Sequence, residues 1–306
     1  MTPPSYSVVI PTTLSRSGLR ACVDAVLGQT VSPRQVVVVV GPENPHGPTP
    51  ELPGGVRVIT SPASSNGQRN AGARVVDGDV VLFVDDDNVL AADFAERLLA
   101  SWRDAPHPVA GMAGIIVNDP QHSGWRNAVY FTLGLGCTAY RARSSRLRRS
   151  GHVLSVYRPD PTVPAGFLHG CCVAYDRQVF LRELFDETFG GHVSGGDLDA
   201  AARMGRHGRL FQVPDAQSRA LPVDSTMPAR GYEQGLRFGE TLAYYRWRHR
   251  GHGGAGAVAW AYANVGQVLL LIVRLVRAGS ARPLIGYVTG LTRAHRRIAR
   301  EARRQR

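Results

Sequence analysis

Apolar residues come along this chain in short unbroken runs, with helix-spaced segments between them. Ser7-Val-Val-Ile-Pro-Thr-Thr13 reads as a first strand ending at Pro11, and Gln35-Val-Val-Val-Val-Val40 as a second, apolar after its first residue. Residues 56–60 form a shorter third run, and Val80-Val-Leu-Phe-Val84 a fourth. Runs with no polar alternate predict strands covered on both faces, as in a parallel sheet. Between them, Leu19, Val23, Val26 and Leu27 share one helical face, 66–76 predicts a second helix, and 91–102 a third with Leu98, Leu99 and Trp102 together. Further on, 109–117 predicts a strand broken by glycines, 166–175 another, 177–184 a helix and 211–214 a last short strand. Strands alternating with helices predict a doubly wound α/β architecture. No G-x-G-x-x-G follows the first strand, so the dinucleotide-binding fingerprint is absent.

The fourth run leads directly into Asp85, Asp86 and Asp87. In open parallel sheets, ligands sit beyond the carboxyl ends of the strands. Side chains alternate along an extended backbone, so Asp85 and Asp87 are expected on one side. Such an oxygen pair suits a hard divalent ion, Mg²⁺ or Mn²⁺; a solvated acidic turn is the plainer alternative. A second acidic group lies at Gly195-Gly-Asp-Leu-Asp199, where the glycines can end one element and Asp197 can cap the next helix. Asp197, Asp199 and Arg203 then fall in its first turns.

The C-terminal part changes character. Residues 232–250 are aromatic and basic, 255–273 carry no charge, and an arginine-rich tail follows residues 284–291. About nineteen residues can just cross a bilayer. Three placements are open for this segment: flat on a membrane with arginines on lipid phosphates, spanning it, or packed as a buried or dimer-forming helix. Removing everything beyond about Pro228 is expected to weaken membrane association and spare the fold before it.

Composition adds two points. The net charge is +12, and all 36 basic residues are arginine. Such an excess suits an anionic partner, although no nucleic-acid motif accompanies it and a charge run such as 141–149 is ordinarily a solvated face. Cys22, Cys137, Cys171 and Cys172 form no C-x-x-C pair, which argues against zinc. With a strand beginning at residue 6 and no leader ahead of it, a reducing cytoplasm is the expected compartment.

Five stretches in order resemble the family 2 glycosyltransferases of the GT-A fold. They are Val8-Val-Ile-Pro-Thr12, Arg69-Asn-Ala-Gly72, Gly78-Asp-Val-Val-Leu-Phe-Val-Asp-Asp-Asp87, Gly170-Cys-Cys-Val-Ala-Tyr-Asp-Arg177, and Gly196-Asp-Leu-Asp199 with Arg203. The resemblance implies a GT-A type, Rossmann-like mixed sheet flanked by helices over 1–227. Within it, 1–110 would bind the nucleotide sugar and 111–227 the acceptor, with a helical, membrane-associating extension over 228–306. It implies inverting transfer from a nucleotide-diphosphate sugar to an acceptor hydroxyl, in an envelope polysaccharide, a glycolipid or a natural product. Asp85 and Asp87 would hold the metal, and Asp197 would be the general base. Pro11, Thr12, Glu43, Arg69, Asn70 and Asp86 would contact the donor; His169, Gly170, Asp199 and Arg203 would contact the acceptor. A glutamate common before the base is Gly196 here, and a histidine common after the last short strand has no match in 216–222. The enzyme is expected at the cytoplasmic face of a membrane, touching it through 255–306. Two other readings remain. A non-catalytic sugar-nucleotide-binding or scaffold relative would keep the fold without turnover, and a haloacid-dehalogenase-type phosphatase would need a lysine that this chain lacks.

Overall fold

The computed structural model describes residues 3–12, 18–41, 51–61, 64–106, 108–118, 125–138, 145–155, 162–188, 195–222, 231–250 and 254–304. Strands β1 (Tyr6–Thr12), β2 (Val36–Val40), β3 (Val56–Thr60) and β4 (Val80–Val84) pair in parallel in the order β4-β1-β2-β3. Every residue of β1, β2 and β4 is buried. Their side chains divide by parity. Val8, Ile10, Val38, Leu82 and Val84 face one core, with helices α1 (Leu19–Leu27) and α3 (Phe94–Asp104). Val9, Val37, Val39, Val81 and Phe83 face the other, against α2 (Ser65–Val75). Two-sided cover is why these strands read as continuous apolar runs. Gly72 lets α2 sit directly on β1: a Cβ there would lie 2.3 Å from a Val9 methyl.

Beyond β4 the sheet becomes mixed. β5 (Asn88–Leu90) pairs with β12 (Arg209–Ala220), and β6 (Val109–Ile116) runs parallel to β12. β11 (Cys172–Asp176) inserts antiparallel between β4 and β6. α4 (Trp125–Thr132) precedes a small separate sheet of β7 (Cys137–Thr138), β8 (Arg146–Leu147) and β9 (Val153–Ser155); β10 (Val163–Pro164) edges β12. α5 (Arg177–Glu183) and α6 (Gly196–Met204) cover the second core.

Two expectations need correction. The strand expected over 166–175 is β11, which begins only at Cys172. The short strand at 211–214 is a twelve-residue strand, with a register break between Gln212 and Gln217. Pro214 lies inside that break; it has no N–H to give the ladder, so pairing stops and resumes.

The last three helices are α7 (Tyr232–Arg250), α8 (Gly254–Ala278) and α9 (Arg282–Arg304). α7 and α9 pack closely through glycines on both sides. Cβ atoms on Gly235 and Gly239 would stand 2.2 and 2.4 Å from the carbonyl oxygens of Pro283 and Tyr287, and those on Gly286 and Gly290 2.1 and 2.2 Å from those of Tyr232 and Leu236. The pair joins the main core through Ala243, Tyr244, Tyr245, Ala294 and Ile298.

Candidate active site

The carboxyl ends of β1 and β4 lie side by side, and the start of β11 lies beside β4. The backbone N–H of Asp85 donates to the Cys171 carbonyl at 2.9 Å. One residue earlier, Gly170 abuts Asp197: a Cβ on Gly170 would stand 3.4 Å from the Asp197 Cβ and 4.0 Å from its Oδ2. Gly170-Cys171 thus connects the acid at the end of β4 with the acid at the start of α6. The Cys171 thiol records both. Burial pushes its pKa well up, and Asp85 and Asp197 each push it further.

The three consecutive aspartates divide the work. Asp85 carries an ion pair with Arg69 at 2.5 Å, and the Arg69 guanidinium lies 5.6 Å from the centre of the Phe185 ring. Asp86 is buried and accepts from the Thr12 hydroxyl at 2.5 Å, which ties β4 to β1. Asp87 accepts from the Asn88 amide at 2.9 Å, and its backbone carbonyl accepts from the Leu221 N–H at 2.7 Å. Asp85 and Asp87 are half-buried.

These two carboxylates fit a small hard divalent ion in donor type. Among the described residues no group of three or more His, Cys, Asp or Glu side chains is gathered for a metal. Such an ion would need oxygen ligands beyond this pair, and Mg²⁺ commonly keeps several waters.

Several expected ligand contacts are instead part of the wall behind the site. Asn70 is fully buried; its amide nitrogen donates to the Phe185 carbonyl and to Glu187, and its oxygen accepts from the Phe185 N–H. Asp199, also fully buried, pairs with Arg203 at 2.6 Å and with His249 of α7 at 2.8 Å. Arg203 also donates to the carbonyls of Glu183 and Leu184. Burial raises the Asp199 pKa, but the bonds from His249 and Arg203 outweigh it and hold the carboxyl below its usual range. The side-chain polar atoms of Asn70, Asp199 and Arg203, expected at the donor and acceptor, are thus each bonded to protein. Pro11 and Thr12 are buried as well. His169 is exposed, 3.1 Å from the Ser155 hydroxyl. Glu43 lies outside the described residues.

Sequence reasoning missed two members of the wall. Gln68 donates to the carbonyls of Thr12 and Val39 and so clamps the ends of β1 and β2. Its signal is a polar residue four positions before Gly72, on the helix face that lies against the sheet. Asn66 donates to the Asp186 carbonyl at 2.6 Å, and its amide occupies the space beside Gly196, where a Cβ would meet it at 3.0 Å. Gly195, at φ 85, makes the left-handed turn that starts α6. A cavity of about 290 Å³, lined by Arg34, Asp79 and Arg177 among others, lies at the far end of β1 and β4 from these acids.

The fold has solved counterparts at low sequence identity. A mannosyltransferase from Pyrobaculum calidifontis, described in complex with GDP-Man and Mn²⁺, aligns at 17% identity over 96% of this chain and 85% of its own, with a TM-score of 0.52. S. aureus TarS 1-349 aligns at 13% identity over 85% and 70%, with a TM-score of 0.51. GalNAc-T7 with UDP, GalNAc and Mn²⁺ aligns at 14% over 86% and 55%, with a TM-score of 0.54. At these identities the likeness establishes the fold. No curated protein matches the sequence significantly. The model of glycosyl transferase family 2 matches residues 7–182, which run from the second residue of β1 to the penultimate residue of α5 and include both ends of the Asp85–Cys171 contact. The chain belongs to glycosyl transferase family 2 and is a glycosyltransferase.

Proposed function

We propose that the enzyme inverts configuration as it moves a sugar from a nucleotide-diphosphate donor to an acceptor hydroxyl, with the donor diphosphate at Asp85 and Asp87 and Asp197 as the base. The observation that supports this reading is that Asp85, through its backbone N–H, and Asp197, through its side chain, both adjoin the Gly170-Cys171 backbone. One acid can serve the leaving group while the other serves the nucleophile.

In the proposed reaction the acceptor oxygen bonds to the sugar carbon as the bond from that carbon to the diphosphate oxygen breaks. The acceptor proton passes to an Asp197 carboxylate oxygen. The bonding pair leaves with the diphosphate, which gains negative charge. A divalent ion held by Asp85 and Asp87, such as the Mn²⁺ named with two of the solved counterparts, would act as a Lewis acid toward that charge. Arg69 is placed to add cationic charge beside Asp85. Pro11 and Thr12 would shape the nucleotide side by their backbone, and Glu43 would belong to the same side. Asp86 would keep the ends of β1 and β4 in register. His169 and Gly170 would border the acceptor; Asp199 and Arg203 would hold α6 so that Asp197 stays in place. The acceptor is proposed to be met at the cytoplasmic face of a membrane.

Thermal melting against UDP-, GDP-, dTDP- and CMP-sugars, with and without Mn²⁺, tests the reading. A ligand bound by the folded state alone raises Tm by mass action. One nucleotide class that raises Tm only with Mn²⁺ is expected. A response to none would favour a scaffold relative, whose fold is kept without donor binding.

A further inference from the structure

α8 is 25 residues long, has no acidic residue, and is apolar enough to cross a bilayer. Its exposed large apolar residues are Val258, Tyr262, Val265, Leu269, Ile272, Val273 and Val276, from 41 to 80% exposed. Apart from Val273, which follows Leu269 by four, their spacing is four, three, four, three and four, so they lie in one stripe along one face. The opposite flank is occupied. Ala263 and Leu271 are buried, Gly266 lies against Leu133 just after α4, and Asn264 accepts from the Tyr287 hydroxyl of α9 at 2.7 Å. The junction with α4 extends the apolar surface: Gly134 packs beside Tyr262, and α4 itself buries no residue and exposes Trp125 and Phe131. Arginines border the area. Arg126, Arg149, Arg274, Arg277 and Arg282 are exposed.

We propose that α4 and α8 together form a docking face that lies in the plane of an anionic bilayer surface. The stripe and the two aromatics would enter the acyl boundary, with the arginines on lipid phosphates. This deepens the membrane part of the reading above and does not depend on sugar transfer. The attachments of α8 decide against spanning: a transmembrane α8 would draw Leu133, Gly134 and Tyr287, with the elements that carry them, into hydrocarbon. Charge decides against a second copy of the chain. Neither α4 nor α8 has an acidic residue to meet the partner's arginines, whereas lipid phosphates accept paired hydrogen bonds from guanidinium groups. Exposed Trp and Tyr beside an apolar stripe also match the chemistry of the headgroup boundary.

Flotation of the full chain with phosphatidylcholine vesicles, with and without phosphatidylglycerol, tests the proposal. Binding to the phosphatidylglycerol vesicles, its loss in high salt, and release by alkaline carbonate are expected. V265Q and L269Q are each expected to lower partitioning about tenfold. Both residues are exposed, so circular dichroism and Tm in buffer should not change. Trp125 should account for a blue shift of emission on binding that is absent in W125F. Three outcomes would overturn the proposal: no flotation, retention after carbonate, or a dimer in lipid-free buffer that L269Q dissolves. A Tm shift with donor in buffer would be unaffected by any of these, so failure here is separable from failure of the transferase reading.

Discussion

His249 Nε2 on α7 and Asp199 Oδ1 on α6 meet at 2.8 Å. Two residues before Asp199 is Asp197, so the C-terminal helices are tied to the helix that carries the proposed base. Arg248 adds a bond to Asp186 at 2.7 Å, and Gly195 lies beside the Tyr245 ring.

A chain ending at residue 227 should therefore not fold as the sequence alone suggested. It would lose Ala243, Tyr244 and Tyr245 from the core and leave Asp199 buried with fewer partners. In urea it should show no cooperative native transition, while H249A in the full chain should lose about 1–3 kcal/mol. A soluble 1–227 fragment with a cooperative melt would contradict this. Asp199 also sets a pH dependence. Its folded pKa is depressed, so its contribution is complete above the ordinary carboxylate range and is lost as pH falls through the depressed value.

Glycines set the distance between α7 and α9. A side chain on Gly239 or Gly290 would enter the space of the Tyr287 or Leu236 carbonyl. G239L or G290L should cost about 1–3 kcal/mol or more by forcing the helices apart. G54A, where nothing lies within 4 Å of the added methyl, is the control and should melt with the wild type.

His152 is buried, ring-stacked with Trp260, and its Nε2 has no hydrogen-bond partner among the described residues. Burial, with Arg148 nearby, pushes its pKa down to about 4. Between pH 6.5 and about 4 the unfolded chain binds a proton that the folded chain does not. Stability should fall across that window as pH is lowered, by about 3 kcal/mol in total. H152F should flatten this part of a Tm-against-pH curve; an unchanged slope would assign it to other groups.

The sequence carried the parallel half of the fold openly, because strands covered on both faces must be apolar at every position. It also carried Asp85, Asp87 and Asp197, whose placement at element ends follows from where the runs stop. It did not carry the antiparallel β11 between β4 and β6, since pairing partners far apart in the chain leave no local period. Nor did it show that Asn70, Asp199 and Arg203 are committed to protein, because a buried polar residue and a ligand-facing one have the same letter. In the arginine tail, Ala294 and Ile298, four apart, face the core. The charge around them hid that packing against the core.

The division of labour between Asp85 and Asp197 is the central claim, and single-turnover kinetics paired with calorimetry test it most directly. With the donor that stabilises the wild type in Mn²⁺, D197N should bind within about threefold of wild type yet transfer about 10²–10⁴-fold more slowly, the range of a lost general base. D85N should lose the metal-dependent part of donor binding. Turnover by D197N at the wild-type rate, or metal-dependent donor binding by D85N equal to wild type, would contradict the account.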